Sequence, residues 1–155
     1  MSTLEHMFIA SNGGPIRAFG LELYWELRIP VKGGDEFEIQ IVHWNRRGNR
    51  QGVGVASDGE IEVDGGTFKR RVTVDLWADS WGDTPCRVVL GKGCTRISVA
   101  NIFHAPPLRC TEFKIDAAML IDAAQDQWTC HCRDCTRIVG EPKFEDIVFT
   151  VRRIR

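Results

Sequence analysis

Apolar and polar residues alternate along most of this chain. Phe19, Leu21, Leu23, Trp25, Leu27 and Ile29 occupy every second position, with Glu22, Tyr24, Glu26 and Arg28 in the gaps. A period of two marks a half-buried strand, one face in a core and the other toward water. Pro30 and the Lys32–Asp35 turn cluster end this segment. Phe37, Ile39, Ile41 and His43 repeat the pattern, which predicts an antiparallel hairpin with the segment before. The polar stretch 45–51 reads as a turn. Val53 and Val55 come next, joined through Asp58-Gly59 to Ile61 and Val63; Asp-Gly between alternating segments is a hairpin signal. Phe68, Val72, Val74 and Leu76 form the next face. Val88 and Leu90, then Ile97, Val99 and Phe103, mark two more strands, Phe113 and Ile115 read as strand, and Ile147, Phe149 and Val151 mark the last.

One segment is ambiguous. Ala117, Leu120, Ile121, Ala124 and Trp128 share a helical stripe with Asp116 as a candidate N-cap, yet Ala117, Met119 and Ile121 also alternate. The stripe predicts one short helix over 116–128. Roughly eight to ten short strands punctuated by turns predict an all-β fold, an antiparallel β-sandwich or barrel of jelly-roll-like type with at most one short helix. The strands are spaced too closely for helical crossovers. No repeat or composition shift divides the chain, so residues 1–155 read as a single β-sandwich domain.

Composition narrows the function classes. The 155 residues are 43% hydrophobic and 26% charged, as in ordinary globular proteins. The net charge of −1 gives no global attraction to nucleic acid or anionic membrane. No apolar run approaches the ~20 residues that span a bilayer, and the N-terminus lacks a signal-peptide pattern; the expectation is a cytoplasmic protein. In a reducing compartment its six cysteines read as thiols or metal ligands rather than a disulfide frame. Phosphate-loop, serine-hydrolase and zinc-protease motifs are absent.

Three of the cysteines fall within six residues: Cys130, Cys132 and Cys135. In an extended backbone Cys130 and Cys132 share a face, and a turn can return Cys135 to them. Such a cluster suits zinc, which takes four ligands in a structural site; Cys110 is the fourth ligand selected here, with Cys94, Cys86, His131 and His104 as alternatives. The run Cys130-His-Cys132-Arg-Asp-Cys135-Thr-Arg-Ile-Val-Gly140-Glu-Pro-Lys-Phe resembles the C-H-C-x-x-C-R-x-x-G-x-P-F segment of the glutathione-dependent formaldehyde-activating zinc family. The resemblance covers residues 130–144 only; the family's upstream C-x-C and downstream cysteine pair have no counterpart. It implies a β-rich fold, zinc held by Cys130, Cys132 and Cys135, and thiol-substrate chemistry.

Two loops carry candidate binding residues. Trp44, Asn45, Arg46 and Arg47 sit at the end of a predicted strand, with Trp44 expected on the face of Val42, opposite Ile41 and His43. An exposed tryptophan beside arginine and amides suits stacking on a sugar or base. Trp77 and Trp81 lie in a second loop with Asp79 and Asp83, suited to a pocket rim. The alternating acids Glu60, Glu62 and Asp64 read as a solvated outer face opposite Ile61 and Val63. The leading expectation is a non-catalytic binding module for a carbohydrate or a protein partner, with its C-terminal segment tied by zinc. The alternatives are a zinc- or thiol-dependent enzyme of the formaldehyde-activating type and a particle- or assembly-associated structural protein. The balanced charge argues against nucleic acid as partner.

Overall fold

The computed structural model describes residues 3–70, 72–104, 117–134 and 143–155. Its elements in chain order are α1 (Thr3–Ala10), β1 (Ile16–Ala18), β2 (Leu21–Leu23), β3 (Leu27–Pro30), β4 (Glu36–Trp44), β5 (Arg50–Ser57), β6 (Glu60–Val63), β7 (Lys69–Arg70), β8 (Thr73–Trp77), α2 (Ala78–Trp81), β9 (Cys86–Leu90), β10 (Arg96–His104), β11 (Ala118–Ala124), β12 (Gln127–Arg133) and β13 (Ile147–Arg153). A four-stranded sheet, β3-β10-β5-β8, faces a seven-stranded one, β11-β12-β13-β4-β9-β6-β7. From β3 to β10 the chain changes sheet at nearly every connection. That is jelly-roll connectivity, with β13, β12 and β11 added beyond β4. Every strand pair among the described residues is antiparallel. The sheets do not close into a barrel, so the fold is the all-β sandwich that the alternation predicts.

Inward positions of both sheets make one core. Ile29, Val53, Val55, Leu76, Ile97 and Val99 of the smaller sheet meet Phe37, Ile39, Ile61, Val88, Ile147 and Phe149 of the larger, all at most 3% exposed. A smaller cluster under α1 joins Leu4 and Phe8 to Ile16, Leu23, Ala118 and Phe144. Phe8 stacks on Trp25, with ring centroids 5.4 Å apart.

Several local expectations are corrected. The predicted long strand from Phe19 to Ile29 is broken into β2 and β3. Phe19 and Gly20 are instead a two-residue loop between β1 and β2, at φ 56° and 72°. Positive φ at both centres matches the twist of a hairpin, and it leaves Phe19 exposed at the tip. Neither predicted hairpin forms. β3 pairs with β10, and β4 pairs with β9 and β13. Asp58-Gly59 connects β5 to β6 in the opposite sheet rather than pairing them. The Asp58 carboxylate accepts the Thr95 N–H at 2.9 Å, the Arg96 N–H at 3.1 Å and the Thr95 hydroxyl, which holds the carboxyl well below its ordinary pKa. A Cβ on Gly59 would stand 2.4 Å from the Cys94 nitrogen. The Asp-Gly signal therefore marks a clasp between two sheet-to-sheet connections.

The helix predicted over 116–128 is also corrected where the chain is described: residues 118–133 are the hairpin β11–β12. β12 pairs along β13 from Gln127 to Cys132. A helix would leave that ladder unpaired, so tertiary hydrogen bonding overrides the alanine-rich local preference. The two short helices among the described residues lie elsewhere, one near the N-terminus and one after β8. Phe113 and Ile115 lie outside the described residues, as do Cys110 and Cys135. Among the described residues no helix is long and apolar enough to cross a membrane.

Candidate functional site

The end of β4 begins the site. Its ladder with β13 runs Val151↔Ile39 and Phe149↔Ile41, then shifts so that Val148 faces His43 and Ile147 faces Trp44. Val42 is the extra residue, and it is exposed. A bulge of this kind reverses the inward-outward order of the strand beyond it. Trp44 was expected on the outer face with Val42. The bulge turns it inward instead, half-buried against the core, while His43 points out. The Arg46 guanidinium lies over the Trp44 ring, 4.0 Å from its centroid.

The second predicted loop meets the first. β8 pairs with β5 so that Trp77 lies opposite Gly52, two residues past Arg50. A Cβ on Gly52 would stand 2.8 Å from the Leu76 carbonyl oxygen and 3.0 Å from the Trp77 ring; glycine permits this close approach. The Arg50 guanidinium covers the Trp77 ring at 4.2 Å. It also donates to Asp79 through Nε at 2.9 Å and Nη2 at 3.1 Å, which lowers the Asp79 pKa. The Gln40 side chain donates to the Asp83 carbonyl at 2.9 Å and ties this loop to β4.

Between the loops lies a cleft of about 580 Å³, lined by Trp44, Asn45, Arg46, Arg50, Gln51 and Asp79, with Gly48 and Asn49. A second cleft of about 440 Å³ shares Trp44, Asn45 and Arg46 and adds His43, Arg47, Lys143, Glu145 and Asp146. Trp44, Asn45 and Arg46 thus line both hollows and Arg47 one. Trp77 lies behind the wall, under Arg50. Trp81 lines neither cleft and packs on the core.

The floor is polar and buried. Asp134, 1% exposed, accepts from Asn49 Nδ2 at 2.9 Å and Gln51 Nε2 at 2.8 Å. Its own N–H donates to Asp146 Oδ2 at 2.9 Å. Burial raises the Asp146 pKa, with the Asp134 charge adding to it, against the pull of that N–H. Asn101 sits deeper between the sheets and donates to the Arg133 carbonyl at 3.2 Å. The Gln51 Oε1 accepts no hydrogen bond from any described residue, although Gln51 is 2% exposed. A buried acceptor without a donor is costly, and this one belongs to a side chain that lines the larger cleft. Sequence reasoning missed Asp134 and Asp146 as floor residues, while Gln51 closes the polar stretch 45–51 of the first candidate loop. Nothing local marks the two acids.

The thiols lie deeper in the sandwich. Cys130 and Cys132 do share the inner face of β12, both 0% exposed. Their cross-strand neighbours are Ile121 and Phe149 for the first and Met119 and Ile147 for the second. Burial, with a smaller contribution from Asp122, pushes the Cys130 thiol up to about 12. His131 turns outward toward Asp122, 3.4 Å away. Zinc needs thiolates and four donors. No cluster of three ligand-type side chains occurs among the described residues, and Cys110 and Cys135 lie outside them. The two described thiols fit apolar packing; they do not fit a zinc centre by themselves.

Fold and site together define a jelly-roll-like β-sandwich with a cleft at one end, built from arginine-covered tryptophans over a buried amide–carboxylate floor. No protein-family model, no curated protein and no solved structure matches the chain.

Proposed function

We propose that this protein is a non-catalytic binding module and that its ligand, a carbohydrate, seats in the cleft between the β4–β5 connection and α2. The observation that carries this reading is the unpaired Gln51 Oε1 on a buried side chain lining a cleft of about 580 Å³. That oxygen is itself buried, so a sugar hydroxyl supplies the missing donor once the Gln51 side chain turns toward the cleft. Asn45 and Asn49 add amide groups beside it, and the Arg46 guanidinium stacked on Trp44 gives a flat wall against which a sugar ring rests. The volume falls in the range of small-ligand sites, roughly 300–1,000 Å³, whereas a protein partner needs about 800 Å² of matching surface.

The test is retention of the full chain on a panel of immobilised neutral and acidic glycans, compared with Asn45→Ala and Trp44→Phe. One sugar class is expected to hold the wild type and to release both variants, with their circular dichroism and melting temperature unchanged. Retention of no glycan refutes the reading, and capture of a folded protein in its place moves the site to the protein-partner class.

A further inference from the structure

The Trp44 ring is covered by the side chain of Arg46, with the guanidinium carbon 4.0 Å from the ring centroid. A ligand therefore meets the guanidinium before it meets the indole. Stacking on an aromatic face limits the rotamers of an arginine and leaves its N–H edge free to donate. The neighbouring Arg50 shows the same arrangement already satisfied: it lies over Trp77 and spends its Nε and one Nη on Asp79. Arg46 repeats the stack without the acid, having no ion pair with any described residue. Among the described residues it is also the one cation that borders both clefts.

The surrounding charges favour an anion. The described cations lining the two clefts are Arg46, Arg47, Arg50 and Lys143, and the acids are Asp79, Glu145 and Asp146. Asp79 is committed to Arg50, and Asp146 accepts the Asp134 N–H. Of these acids, Glu145 alone has no such partner among the described residues, and it faces the side shared with Arg47 and Lys143. In the floor beside Arg46 lies the buried Gln51 oxygen, which has no donor among the described residues.

We infer that Arg46 is an oxyanion subsite, so that the ligand is an acidic sugar whose carboxylate is read by Arg46. The inference rests on the carbohydrate reading above and adds the charge of the ligand. A planar fork matches two oxyanion oxygens at once, which an ammonium does not. Lysine in this position therefore preserves the charge and loses the geometry.

The experiment titrates the full-length protein with a galacturonate trisaccharide and with its methyl ester, following tryptophan fluorescence and heat. The acid is expected to bind at least about tenfold more tightly than the ester, the size of one charge-assisted contact. Arg46→Gln abolishes the preference for the acid over the ester. Arg46→Lys falls between, and Lys92→Gln, an exposed cation that lines neither cleft, stays within about threefold of wild type. Equal binding of acid and ester, or an Arg46→Gln protein that still prefers the acid, overturns the oxyanion subsite and leaves the carbohydrate reading standing. Binding of neither trisaccharide, with neutral glycans retained in the panel, also overturns the subsite; with nothing retained, both readings fall together.

Discussion

Replacing Asp134 by alanine tests the floor of the cleft most directly. The side chain is 1% exposed and holds two amide donors, Asn49 at 2.9 Å and Gln51 at 2.8 Å. Alanine leaves the Gln51 Nε2 buried with no acceptor and loosens the half-buried Asn49. A hydrogen bond to a charged group contributes about 1.5–3 kcal/mol, and a buried orphaned donor costs about 1–3 kcal/mol. Removing a desolvated carboxylate offsets part of this, so the net loss expected is about 2–4 kcal/mol. Asparagine at this position keeps an oxygen where both amides donate, and Asp134→Asn should cost only about 1 kcal/mol. Urea unfolding separates the two. With a mid-range slope of about 2 kcal/mol per molar, the alanine variant shifts the midpoint down by about 1–2 M and the asparagine variant by about half a molar. Gln51→Leu removes the partner at 2.8 Å and the unpaired oxygen together, so the double variant Gln51→Leu/Asp134→Ala should cost less than the sum of the two singles. An Asp134→Ala protein within about 0.5 kcal/mol of wild type, or strict additivity with Gln51→Leu, refutes the buried network as the element that shapes the cleft.

Asp146→Asn tests the same region through pH. Burial raises the Asp146 pKa above its ordinary value of 3.8, so the native state binds this proton more tightly than the unfolded chain does. The stability contributed by this group is full below the ordinary value and is lost as pH rises through the raised native value. A side-chain amide does not titrate and removes that loss: relative to wild type, the Asp146→Asn variant should gain stability as pH rises above about 4, as read by melting temperature. A difference that stays flat or falls with pH contradicts the raised pKa. The thiols give an independent check on the core. Cys130 and Cys132 should resist alkylation at about pH 8 in the folded protein and react only in denaturant, as read by peptide mass spectrometry, since the Cys130 thiol stands at about 12 and the thiolate is the reactive form. Rapid native labelling of either residue, or a melting temperature that drops with a zinc chelator, would return these two cysteines to a metal centre.

The class of the fold was legible in the order of residues alone. Alternation at Phe37, Ile39 and Ile41, at Val53 and Val55, and at Ile97 and Val99 states which side chains go inside, because a period of two has one geometric solution. The β4–β5 loop that lines both clefts also stood out in the sequence, through Trp44, Asn45 and Arg46, whereas of the second loop Asp79 lines a cleft and Trp77 and Trp81 do not. Pairing was not legible. Asp58-Gly59 carries the local mark of a hairpin, and its partner, the Thr95–Arg96 backbone, lies 37 and 38 residues away; no local pattern encodes a contact across two sheets. The same applies to the segment 116–128, where the apolar stripe favoured a helix and, from Ala118 on, the β11–β12 hairpin with its ladder to β13 won. Trp44 shows the smallest version of this. One extra residue at Val42 reverses its face, and a bulge depends on the partner strand rather than on the residues it displaces. The buried floor of Gln51 and Asp134, separated by 83 positions, exists only once both sheets are in place. Desolvation and hydrogen-bond satisfaction act between groups that only the folded chain brings together.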